Sequence, residues 1–199
     1  MKNVLEIISV NPPEKRFAFD GSVIYRNSCE AVVYSKEGVL DVGVLTVPDG
    51  MPLPTVGHYV ATYDVGTDYD RRIGGVLKEL KRYDSLSAAL SEPTDGVSSV
   101  KVRVLKVSEP KQGRSKGKSY SITEALCVLL AADGTLQTGS LVLPRGVEGV
   151  APGEYLARFE VGVSWKRRAV TPLLVSLEPV GKPVARAPAP AAVRPAVTA

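Results

Sequence analysis

Residues 37–66, EGVLDVGVLTVPDGMPLPTVGHYVATYDVG, lie over residues 133–162, DGTLQTGSLVLPRGVEGVAPGEYLARFEVG. A shift of 96 positions puts Gly38 on Gly134, Leu40 on Leu136, Gly43 on Gly139, Leu45 on Leu141 and Pro48 on Pro144. The same shift puts Gly50 on Gly146, Gly57 on Gly153, Tyr59 on Tyr155 and Val65-Gly66 on Val161-Gly162. Without a gap the overlay reaches back to Gly21 and forward to Leu77. Arg71-Arg72 then falls on Arg167-Arg168, and Leu77 on Leu173. Glycines, prolines and strand residues that coincide in one register mark a tandem duplication.

Working outward, each copy reads as five strands, near residues 4–10, 23–34, 39–47, 58–65 and 73–83 in the first. The second copy has them near 100–107, 119–130, 135–143, 153–161 and 168–177. Turn signals at Asn11-Pro12-Pro13 and Glu37-Gly38, and the proline-rich loop 48–54, separate them. Only residues 86–90, LSAAL, read as helical. The pattern sets a first unit at 1–84, a linker rich in Ser, Pro and acid at 85–98, and a second unit at 99–181. Residues 182–199 are Pro/Ala-rich and basic, and read as disordered. Five short twisted strands bury one face poorly unless the sheet closes, so each unit is expected to be a small all-β barrel.

Composition agrees. The chain has 199 residues, 44% of them hydrophobic, with 18 glycines and 15 prolines, as many turns between short strands require. No apolar run approaches a membrane span. The N-terminus lacks a secretory signal, which places the protein in a cytoplasm. Two cysteines do not make a disulfide scaffold, and Cys127, in the apolar phase of its strand, reads as a buried thiol. One histidine and no CxxC pair argue against a metal site or any cofactor. His58 is read as structural, the carboxylates are scattered, and no nucleophile has a histidine in motif spacing, so no enzyme is expected. Gly113 to Gly117 is no phosphate loop, because the Gly-Lys-Ser there lacks the preceding glycine at Walker spacing and leads into a strand.

Charge is divided unevenly. Residues 1–84 carry a net −2 and residues 100–181 a net +5. The densest cluster opens the stretch 111–127, KQGRSKGKSYSITEALC, where Lys111, Arg114, Lys116 and Lys118 come without an acid and just before Tyr120. Gly113 and Gly117 make regular structure unexpected there, so the segment reads as a basic loop feeding a strand. Cations beside a ring suit a polyanion with open bases, as in single-stranded nucleic acid. The first copy has a weaker arm: Lys15 and Arg16 are offset by Glu14 and Asp20, and Phe17 is either a stacking platform or core. Tyr25 and Arg26 sit near the place of Tyr120 but one residue off, which leaves the face of Tyr25 open. At the second hairpin tip Tyr69, Arg71 and Arg72 fall near Trp165, Arg167 and Arg168, a ring and two arginines in each copy. They are candidate contacts; the alternative for Trp165 is a cap between the units.

Residues 117–127, GKSYSITEALC, resemble the DNA-binding wing of the filamentous-phage (inovirus) gene V type single-stranded-DNA-binding protein. Residues 151–155, APGEY, and 177–179, LEP, match two further anchors of that family at the right separations. The resemblance covers about residues 99–179. It implies OB-type barrels, and contacts to DNA through Lys118 and Tyr120. The family works as a two-fold dimer, so the duplication implies a covalent pseudo-dimer. By the same analogy the protein coats viral single-stranded DNA without sequence preference in the infected bacterial cytoplasm, associating cooperatively along it. The alternatives are an RNA-binding translational repressor and a phage scaffold or protein-interaction module. The sequence departs from the family at Val128, Thr135, Ser140, Leu174 and Ser176, so some contacts are expected to move.

Overall fold

The computed structural model describes residues 1–17, 21–35, 37–68, 71–115, 118–131, 133–144, 147, 149–164 and 168–180, with the backbone alone at 115, 118 and 119. The tail 182–199 lies outside them. The first half contributes β1 (Lys2–Val10), β2 (Glu14–Phe17), β3 (Val23–Ser35), β4 (Gly38–Val47), β5 (Gly57–Thr67) and β6 (Ile73–Tyr83). A short helix, α1 (Leu86–Ser91), follows. The second half contributes β7 (Val97–Val107), β8 (Lys111–Ser115), β9 (Lys118–Ile122), β10 (Glu124–Leu130), β11 (Leu136–Val142), β12 (Gly153–Val163) and β13 (Val170–Pro179). Among the described residues the regular structure is all-β apart from α1.

Every ladder is antiparallel. The first sheet runs β4–β3–β1–β5–β6, with β2 paired to the far end of β3, and the second runs β11–β10–β7–β12–β13, with β8–β9 as a separate hairpin. The two orders correspond strand for strand. Inward positions alternate as a half-buried sheet requires: Cys29, Ala31 and Val33 on β3, and Ala125, Cys127 and Leu129 on β10, are all fully buried. Both thiols are free, and burial pushes each up to about 11.

Registers agree down to their irregularities. Leu5 pairs Val33 as Val102 pairs Leu129, and the bulge that skips Ile8 on β1 recurs at Leu105 on β7. At the tip of the last hairpin the match departs from the gapless overlay. Tyr63 pairs Leu77, whereas Phe159 pairs Leu174. Arg71 and Arg168 share a left-handed backbone, with φ of 54° and 50°. Arg71 therefore corresponds to Arg168 and Leu77 to Leu174, at an offset of 97. The physical reason is strand parity: one slipped residue reverses every face, and only this offset keeps Ile73 and Val170 both inside.

The residues at these tips are not packed in their own half. Val161 and Val170, from β12 and β13, belong to the core cluster built on Leu5, Ala31 and Tyr63. Val65 and Ile73, from β5 and β6, belong to the cluster built on Val102, Cys127 and Phe159. Each hairpin tip completes the other half's core. Among the described residues no ladder joins β4 to β6; instead Val44 bridges Ala169 and donates its N–H to the Arg168 carbonyl at 2.6 Å. The mirror contact is Arg72 bridging Ser140, whose N–H reaches the Arg71 carbonyl at 2.7 Å. Gly43 and Gly139 permit this approach. A Cβ on Gly139 would lie 2.7 Å from the Arg71 carbonyl, and one on Gly43 would run into the Arg168 carbonyl. Gly75 meets Pro172, its own counterpart, so tightly that a Cβ there would overlap the proline ring. A position that touches its counterpart lies beside a local two-fold axis.

The segment between the halves is partly folded. Ser85 caps α1 by accepting the Ala88 N–H at 3.2 Å, and Glu92 ends it in an extended conformation because Pro93 disfavours a helical residue before it. Ala89 packs on Val4 and Val60, so the helix covers part of the outer face of the first sheet.

Candidate nucleic-acid interface

The basic stretch opens as a strand over Lys111–Ser115, not as an irregular loop. β8 and β9 form a two-stranded arm in which Lys111 pairs Ile122, Gln112 pairs Ser121, Gly113 pairs Tyr120 and Arg114 pairs Ser119. The glycine that reads as a breaker is where the ring lies. A Cβ on Gly113 would collide with the Tyr120 ring, so an aromatic residue covers the bare glycine across the ladder. The arm leaves its sheet at a defined joint: the Ser108 N–H reaches the Glu124 carbonyl at 2.8 Å, and the Glu124 N–H reaches Ser108 Oγ at 3.1 Å. Between β9 and β10 the ladder breaks at Thr123, whose carbonyl accepts the Leu143 N–H.

Gln112, Gly113, Arg114, Tyr120 and Ser121 line an open cleft of about 600 Å³. Arg114 is exposed and Tyr120 half-exposed. Lys111 is 3.2 Å from Glu124, with its side chain 70% exposed; a pair this open is worth little, so the ammonium stays available to an anion. Lys118 is placed by its backbone opposite Ser115. Lys116 lies outside the described residues.

The first arm has the same construction and a different surface. Glu14 pairs Arg26, Lys15 pairs Tyr25, Arg16 pairs Ile24 and Phe17 pairs Val23. Cross-strand neighbours share a face, so Lys15, Phe17 and Tyr25 stand together, with the Lys15 ammonium 5.3 Å from the Phe17 ring centre. Phe17 is 71% exposed and Tyr25 57%, which removes the core alternative for Phe17. Arg16 is 2.8 Å from Glu14, and Arg26 is exposed on that opposite face. Shifted by 96, Tyr25 becomes Ser121, which pairs Gln112 rather than Gly113. The rings of the two arms therefore stand on opposite faces.

At the hairpin tips the backbone has a structural duty. The Arg71 and Arg168 carbonyls hold the contact between the halves, and the Arg168 guanidinium donates to the Val42 carbonyl at 2.8 Å. The Arg72 N–H is bound by Asp68 at 2.8 Å. The side chains of Arg71, Arg72 and Arg168 remain exposed. Tyr69, Trp165 and Arg167 lie outside the described residues.

Three cations that the sequence reading did not single out emerge on the sheet itself. Lys101, Arg103 and Lys106 are exposed on β7, and the alternation of valine with base along that strand was the available signal. Among the described residues no group of three His, Cys, Asp or Glu side chains is arranged to hold a metal, and no helix is long and apolar enough to cross a membrane. No protein-family model matches the chain, and no curated protein matches it either.

Proposed function

We propose that the chain is a covalent pseudo-dimer of two OB-type units, arisen by tandem duplication, that binds single-stranded DNA without sequence preference. The shared strand order, the recurring bulges and the reciprocal hairpin tips support the duplication. The observation that carries the binding reading is Tyr120 laid across Gly113 in an open cleft beside Arg114. An arm fixed by a ladder holds its ring ready for a base, so stacking costs little ordering, and exposed cations on the arm and on β7 supply phosphate contacts. A ring accepts any base face, which gives binding without sequence readout. By resemblance, the role is to coat viral single-stranded DNA in an infected bacterium before packaging.

The test is a fluorescence titration of the single tryptophan, Trp165, with single-stranded oligonucleotide at several salt concentrations. Binding through about 4–6 phosphates gives a log–log salt slope near −3 to −4, at ~0.7 per contact. A signal that ignores both oligonucleotide and salt would leave a protein-interaction module as the reading. Tighter binding to RNA than to DNA of the same length would point to a translational repressor.

A further inference from the structure

The joint between the halves is built from the same parts twice. Gly43 and Gly139 are counterparts, and the carbonyls they receive come from the counterparts Arg168 and Arg71. That seat accepts a tip of either kind. Selectivity between halves can come only from places where the two copies differ, and such contacts cross the joint.

One is Gly75 against Pro172. Gly75 pairs Val65 on β5 as Pro172 pairs Val161 on β12, so the two hold the same place in their hairpins and meet beside the two-fold axis. A Cβ on Gly75 would fall inside the Pro172 ring. The proline takes nothing from its own ladder, because the Val161 N–H opposite it is bound to the Gly96 carbonyl at 3.1 Å. Gly75 shares that register, so its position also suits a proline. Another is Thr67 against Gln137. Thr67 stands over Gly139 as Val163 stands over Gly43. Thr67 gives Gln137 Oε1 its N–H at 3.0 Å and its hydroxyl at 3.1 Å. Val163 has no hydroxyl to give.

We propose that Gly75 and Pro172 key the joint to unlike halves, so that the tip of a second half seats on a first half and not on another second. Two second halves would drive Pro172 into its own copy and set Val163 beside Gln137. Two first halves would set glycine on glycine and leave a void where the ring packs, which also costs stability. A duplicated unit needs such a device. Without it, halves of different chains could pair like with like and compete with the joint inside one chain. The key works by what a wrong partner cannot fit, while the linker favours the partner already tethered, at a roughly millimolar effective concentration. The inference concerns the joint alone and holds whatever the arms bind.

The full chain can be made to carry each like-with-like contact. Gly75→Pro sets a proline against Pro172, and Pro172→Gly sets a glycine against Gly75. The double variant restores an unlike pair with the roles exchanged. Thermal unfolding followed by circular dichroism compares them. Gly75→Pro is expected to lower Tm by roughly 5–10 °C through overpacking. Pro172→Gly is expected to lower it by about 2–5 °C, through lost packing and a freer unfolded chain. The double variant should melt at least halfway back from Gly75→Pro toward wild type, although it carries one substitution more. A Gly75→Pro chain that melts with wild type, or a double variant that melts no higher than Gly75→Pro, would overturn the inference. Where the proline folds in neither background, Gly75→Ala takes its place. Alone it must lower Tm, and Pro172→Gly must then raise it again; failure of either step overturns the inference in the same way.

Discussion

Gly139→Ala tests the interlock of the two halves most directly. A Cβ at this position would lie 2.7 Å from the Arg71 carbonyl and 3.0 Å from both Ile73 Cγ1 and Thr67 Cγ2. All three belong to the other half's hairpin tip, and the first is main chain. The tip must retreat, which strains the packing of Val65 and Ile73 and stretches the bond from the Ser140 N–H. Overpacking of this kind costs about 1–3 kcal/mol and a weakened hydrogen bond about 1 kcal/mol. Alanine returns roughly 0.5–1 kcal/mol by restricting the unfolded chain. The net loss is about 1–3 kcal/mol, or a fall of roughly 3–10 °C in Tm for a chain of this size. Urea titration followed by circular dichroism measures it, with Gly74→Ala as the control, because nothing lies within 4 Å of a Cβ at Gly74. If Gly139→Ala unfolds at the wild-type midpoint while Gly74→Ala does the same, the tips do not hold the halves together as described.

Residues 1–96 expressed alone lose Val161 and Val170 from their core; they should lack a cooperative thermal transition, and adding residues 97–180 should restore one. Cys29 and Cys127 are raised to about 11 chiefly by burial, so they favour the folded state fully below the unfolded value near 9 and lose that contribution as pH rises toward 11. The unfolding free energy should therefore fall between about pH 8 and about pH 10.5, by about 2 kcal/mol per thiol, and both thiols should react with a thiol reagent at neutral pH only after denaturation. Tyr120→Ala and Lys118→Ala should each weaken oligonucleotide binding, the tyrosine by about 1–3 kcal/mol as for a lost stacked base, without moving the thermal midpoint. Unchanged affinity in both would remove the arm from the site.

Much of the fold was legible because strand alternation and turn chemistry are local. The run from Val100 to Val104 shows its face in its own valines, and 86–90 shows a helix in its lack of glycine and β-branching. The arm was harder. Lys111–Ser115 has two-residue periodicity too weak to see through its glycine, and only the ladder to β9 reveals that Gly113 is bare because Tyr120 lies on it. The face of Tyr25 was open in the sequence for a related reason: parity within a strand is local, whereas the offset between two arms depends on how each joins its sheet.

By itself the sequence determined the β class, the repeat, the turn positions and the concentration of positive charge in the second half. Each follows from residue chemistry within a few positions or from comparing the chain with itself. Tertiary structure alone decided where the hairpin tips go. Val65 and Ile73 have the same apolar pattern whichever core they enter, and the backbone of Arg71 or Arg168 gains its purpose from a strand in the other half. Burial of an apolar tip is satisfied by any close-packed surface, so its address is set by the geometry of both halves together.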